Sequence, residues 1–109
     1  MNGKPVVLRE RARRDMDEAV EHYLTGAGPT VALDFIDAVE DACRHIGECP
    51  SGGSPRYAHE LDLPGLHCRP VGRFSYLIFY VERGPEVDVW RVLHAAGNIP
   101  AWTREPHDP

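Results

Sequence analysis

Six polar side chains gather in the second half of the chain on segments that are otherwise apolar: Arg69, Arg73, Tyr76, Tyr80, Arg91 and His94. Guanidinium groups fork onto phosphate or carboxylate, and imidazolium or phenol groups can move a proton, so such a set suits an oxyanion. A plainer reading stands beside it, in which Tyr76 and Tyr80 are core aromatics with hydroxyls at the rim and Arg91 pairs with an acidic neighbour. Other chemistries lack their residues. No GxSxG-like turn presents a nucleophile, and the pairs Gly26/Gly28 and Gly52/Gly53 lack the lysine-bearing phosphate cradle. His59, Asp62, His67 and Cys68 match no zinc spacing, so no metal or other cofactor is expected. Cys43, Cys49 and Cys68 are odd in number and form no CxxC pair, so in the cytoplasmic setting expected of a chain with no membrane-spanning stretch they read as reduced thiols.

The elements that must position these groups follow from apolar spacing. Residues 5–9, PVVLR, are too few for a helix and read as a strand with Pro5 at its start. Ala12, Met16, Ala19, Val20, Tyr23 and Leu24 then recur as one helical stripe, with Arg13, Arg14, Asp17, Glu18 and Glu21 outside it. Pro29 opens a second helix in which Ala32, Phe35, Ile36, Val39, Ala42, Cys43 and Ile46 repeat up to Gly47. The short connection makes residues 10–48 an antiparallel helical hairpin. Beyond the 50–55 loop, strand signals begin weakly at Arg56–Leu61, return at Leu66–Val71 and peak at Phe74–Val81 (FSYLIFYV), the expected central strand with Leu77 and Phe79 buried. Val87–His94 completes a hairpin, alternating Val87, Val89, Arg91 and Leu93 against Asp88, Trp90, Val92 and His94. The fold class is therefore α+β: an N-terminal strand and an αα-hairpin packed on one face of a mainly antiparallel three- to four-stranded C-terminal sheet.

The 109 residues allow one domain, 1–109, with a structured core over about 5–103 and a tail at 104–109. A composition of 42% apolar and 27% charged residues excludes disorder and disulfide-scaffold classes, and no stretch is apolar enough to span a bilayer. The net charge is −5, and residues 1–49 hold ten acidic against six basic side chains. An acidic chain with one lysine, Lys4, is poorly suited to neutralising phosphates, so direct DNA binding by this chain alone is not expected.

The block Gly72–Val81, then Val87–His94, then Asn98-Ile99-Pro100-Ala101-Trp102 resembles the ParE branch of the ParE/RelE toxin superfamily, with its "LIFY", "RVLH" and "DIP" series. The resemblance extends back through Leu63-Pro64-Gly65-Leu66, Pro50 and Gly53, Gly28, and Ala12 with Asp15, over about residues 5–103. It implies the toxin of a type II toxin-antitoxin operon, neutralised by a ParD-like antitoxin, inhibiting DNA gyrase by protein–protein contact and carrying no catalytic residue. The RelE-type alternative, a ribosome-dependent mRNA endonuclease, would face RNA with Arg69, Arg73, Tyr80 and Arg91. However, its arginine three residues before Tyr80 is Leu77 here, and its strand lysines are missing. A third alternative is an inactive relative that only binds antitoxin.

The family's "HGxRDIP" appears as His94-Ala95-Ala96-Gly97-Asn98-Ile99-Pro100, with Gly97-Asn98 in place of the arginine–aspartate pair. On the ParE reading the target-binding residues are Arg91, His94, Ile99, Pro100 and Trp102, a composition suited to an interface anchor. An amphipathic antitoxin helix is expected in an apolar groove, steered by the acidic outer face of residues 15–41.

Overall fold

The computed structural model describes residues 3–96. Strand β1 (Val6–Leu8) leads into helices α1 (Glu10–Ala27) and α2 (Pro29–Glu48). A 3-10 turn (Pro50–Gly52) and helix α3 (Arg56–Glu60) precede strands β2 (Leu66–Val71), β3 (Phe74–Arg83) and β4 (Glu86–His94). The sheet order is β1-β4-β3-β2: β2, β3 and β4 run antiparallel as an up-and-down series, and β1 returns to the far edge parallel to β4. The hairpin break is one residue, Gly28, at φ 98°, a backbone region open to glycine, and Pro29 follows at the first position of α2.

Both long helices lie on one face of the sheet. Ala12 and Ala19 of α1 and Phe35, Val39, Ala42 and Ile46 of α2 close on Val71, Ile78, Tyr80, Val87, Val89 and Val92. The small residues let the helices approach closely, and the aromatic group Tyr23, Phe35, Phe74 and Tyr76 fills one end with ring centroids 5.0–6.0 Å apart. On the opposite face Leu66, Cys68 and Phe79 form a second cluster with Tyr57, Ala58, Leu61 and Leu63, which explains why β3 is apolar on both sides.

Four expectations need correction. Arg56–Leu61 is not a strand but contains α3, because its apolar residues Tyr57, Ala58 and Leu61 fall at helical spacing. The Tyr57 ring docks 5.4 Å from Phe79. Strand β4 does not alternate to its end. Phe79 pairs with Arg91 and Tyr80 with Val89, so Trp90 is an extra residue, a β-bulge that moves Val92 to the helix-side core and Leu93 to the other face. Finally, Phe79 is fully buried but Leu77 only partly, and Leu24, expected in the α1 stripe, is 44% exposed.

Candidate functional site: a locked strand end and an acidic helical hairpin

β1 stops pairing at Leu8–Val89, so among the described residues the outer edge of β4 continues past it without a strand neighbour. Helix α1 supplies the missing acceptor. Asp15 Oδ2 accepts the Val92 backbone N–H at 2.9 Å and Arg91 Nε–H at 2.8 Å, while Oδ1 accepts from Arg91 Nη2 at 3.1 Å. Both side chains are more than nine-tenths buried. This bidentate pair ties α1 to the last turn of strand before the C-terminal segment. Arg91 is thus a buried positioning group rather than an exposed fork. Asp15 is the partner that residue-by-residue reading missed. Its signal was a carboxylate inside the α1 stripe, three residues after Ala12 and four before Ala19.

Above the pair lies a small cleft of about 260 Å³ between α1 and the end of β4, with Glu18 and His22 on one wall and Tyr76 and His94 on the other. His94 is exposed, stands edge-on to Tyr76 at 5.1 Å, and accepts the Ala96 N–H at Nδ1 (3.1 Å), closing a turn directly after β4. Burial, then Tyr23 and the carboxylates of Asp15 and Glu18, hold the Tyr76 phenol above its usual range. Ile99, Pro100 and Trp102 lie outside the described residues.

The other polar residues do not converge with these. Tyr80 is buried in the helix-side core and donates its hydroxyl proton to the Pro50 carbonyl oxygen at 2.6 Å. Burial raises its pKa, partly offset by the Gly53 N–H and by Arg69. Arg69 sits half-buried on the edge strand β2, and Arg73 is exposed at the β2–β3 turn, 3.6 Å from Asp34. Two of the four proposed RNA-facing groups, Tyr80 and Arg91, are therefore consumed by structural bonds. His59, Asp62, His67 and Cys68 do not gather: among the described residues no three His, Cys, Asp or Glu are placed to hold a metal. The three cysteines are unbridged.

The outer face of the hairpin has a different character. Between Asp15 and Asp41 the chain carries eight acidic residues and no lysine or arginine. Among them Leu24 and Leu33, within a turn or so of the α1–α2 break, are 44% and 61% exposed. Exposed leucines ringed by carboxylates on two rigid helices favour an apolar partner surface with a basic border.

The fold is thus an α+β domain with a helical hairpin on one face of a β1-β4-β3-β2 sheet. A family model described as the ParE toxin of type II toxin-antitoxin system, parDE, matches residues 6–99, and the chain belongs to that family. It is a ParE-family toxin of a type II toxin-antitoxin system. Among solved structures it is similar to a chain of the chromosomal ParDE toxin-antitoxin system from P. aeruginosa, at TM-score 0.71 and 18% identity, covering 84% of this chain and 95% of that one. A search of the curated proteins finds no match. Among the described residues no helix is long and apolar enough to cross a membrane.

Proposed function

We propose that this toxin acts in the cytoplasm by binding DNA gyrase, without catalysis, and that a ParD-like antitoxin neutralises it. The observation that carries the non-enzymatic reading is the fate of the reactive-type side chains. Arg91 is held on both sides of its fork by Asp15, and the Tyr80 hydroxyl is bonded to the Pro50 carbonyl. Phosphodiester cleavage needs cationic and proton-transfer groups converging on one phosphate, within hydrogen-bond reach of the moving proton. Groups already committed to buried bonds do not serve that purpose.

The proposed gyrase-facing set is His94, Ile99, Pro100 and Trp102, with Arg91 acting indirectly by anchoring the end of β4 to α1. The proposed antitoxin surface is the acidic hairpin face around Leu24 and Leu33, distinct from that set. A supercoiling assay run beside an in vitro translation assay tests the reading. The purified chain inhibits supercoiling and leaves mRNA intact, and truncation after Leu93 abolishes inhibition while antitoxin binding survives. Cleavage of mRNA in the translating extract, lost in Arg69→Ala, would replace this reading with the RelE-type one.

A further inference from the structure

Three arginines of the described residues are drawn into the body of the protein, and two of them hold carboxylates: Arg91 grips Asp15, and Arg9 grips Asp88 at 3.0 Å. The third, Arg69, is half-buried and has no carboxylate partner among the described residues. A partly desolvated guanidinium without an anion is costly, and the pattern in the rest of the molecule is to supply one. Arg69 instead lines a cleft of about 500 Å³ between the C-terminal half of α2 and the edge strand β2.

Gly52, Gly53 and Gly72 line that cleft without bringing a side chain into it. Gly52 ends the 3-10 turn and Gly53 follows it, and a Cβ at Gly53 would collide with the Tyr80 hydroxyl and come within 3.0 Å of the Cys68 carbonyl oxygen. From α2 the cleft receives His45, and from the strand side Ser54. The Ser54 hydroxyl accepts the Arg56 N–H at 3.2 Å, which leaves its own proton to donate. His45 Nδ1–H donates to the Asp41 carbonyl oxygen at 2.8 Å, so Nε2 donates to a ligand when the ring carries both protons. The one acid in the lining, Asp41, is already ion-paired with Arg44, and its carboxylate lies 3.7 Å from His45.

We propose that the α2–β2 cleft binds a small phosphate ester, with Arg69 forking onto the phosphate and His45 and Ser54 as further donors. The phosphate matches the planar fork. The volume falls in the range of small-molecule sites and exceeds one phosphate group, so the organic portion is seated along Ala38, Ala42 and Pro70. The site is separate from the β4 end and from the acidic hairpin face, so its occupancy is independent of the functional reading above.

The test is a backbone-amide NMR titration of the full chain at constant ionic strength, with inorganic phosphate and with ribose 5-phosphate. Both probes shift the amides of Gly52, Gly53, Ser54 and Arg69 saturably, and the ester binds several-fold tighter. Arg69→Gln weakens binding at least tenfold and His45→Gln at least threefold, whereas Arg73→Gln, an exposed arginine outside the cleft, changes it less than twofold. The absence of a saturable shift with either probe overturns the site. So does equal loss in Arg69→Gln and Arg73→Gln, and an ester no tighter than phosphate overturns the ligand class. Should Arg69→Gln lose its native spectrum, His45→Gln against Arg73→Gln decides.

Discussion

Replacing Asp15 by alanine removes one carboxylate and strands three donors: both arms of the Arg91 fork and the Val92 N–H. Breaking one side of a buried ion pair costs about 3–5 kcal/mol, because the remaining charge stays buried without its carboxylate. A domain of this size has about 5–15 kcal/mol of total stability, and each kcal/mol moves its melting point by roughly 4–8 °C. Asp15→Ala is therefore expected to lower Tm by at least roughly 12 °C in a circular-dichroism melt. Asp15→Asn keeps an acceptor for Val92 and falls between. The double variant Asp15→Leu with Arg91→Met removes both charges of the pair and leaves the Val92 N–H unsatisfied, a cost of about 1–3 kcal/mol. It should lose at least about 2 kcal/mol less than the sum of the single changes in a urea titration. An Asp15→Ala variant within about 1 kcal/mol of the parent, or strict additivity in the double variant, would refute the argument that the pair locks β4 to α1.

Exposed hairpin leucines should matter to the partner and not to the fold. Leu24→Glu and Leu33→Glu each weaken antitoxin binding at least tenfold by calorimetry, since a buried leucine anchor contributes about 1.5–3 kcal/mol, while stability changes by less than about 0.5 kcal/mol. Affinity for the antitoxin also falls as salt is raised, because the acidic face attracts a basic border. Gly53→Ala forces the Tyr80 hydroxyl off the Pro50 carbonyl and costs about 1–3 kcal/mol by chemical denaturation. Burial, aided by Glu40, pushes the Cys43 thiol from the ordinary 9.0 up to about 11. The folded state thus keeps a proton that the unfolded state releases above pH 9.0, so this group's contribution to stability is present below that pH and is lost as pH rises towards about 11. Alkylation at pH 8 should modify exposed Cys49 well before Cys43 or buried Cys68.

Where apolar period and local sequence agreed, elements were readable from residues alone: FSYLIFYV could only be a strand covered on both faces, and the Ala32–Ile46 stripe needed a sheet beneath it. What escaped were features set by tertiary contact. The Trp90 bulge is a register event, and nothing in VDVWRVLH marks which residue is extra. The short α3 carries a weak pattern that only its docking onto Phe79 resolves. Arg91 was recognisable as a notable charge in a buried strand, but its partner lies 76 positions away, so the sequence spacing of the two residues carries no hint of their pairing. The geometry also separates Arg69 from Arg91, which a list of cationic residues had placed together.

Titration of purified gyrase with the purified chain, read as supercoiling activity, tests the central claim of inhibition by binding most directly. Inhibition is expected to rise with toxin until it saturates near stoichiometric occupancy, mRNA in a parallel translating extract to stay intact, and the antitoxin to reverse the inhibition. Supercoiling unaffected at saturating toxin, with mRNA cleaved by substoichiometric amounts, would contradict it.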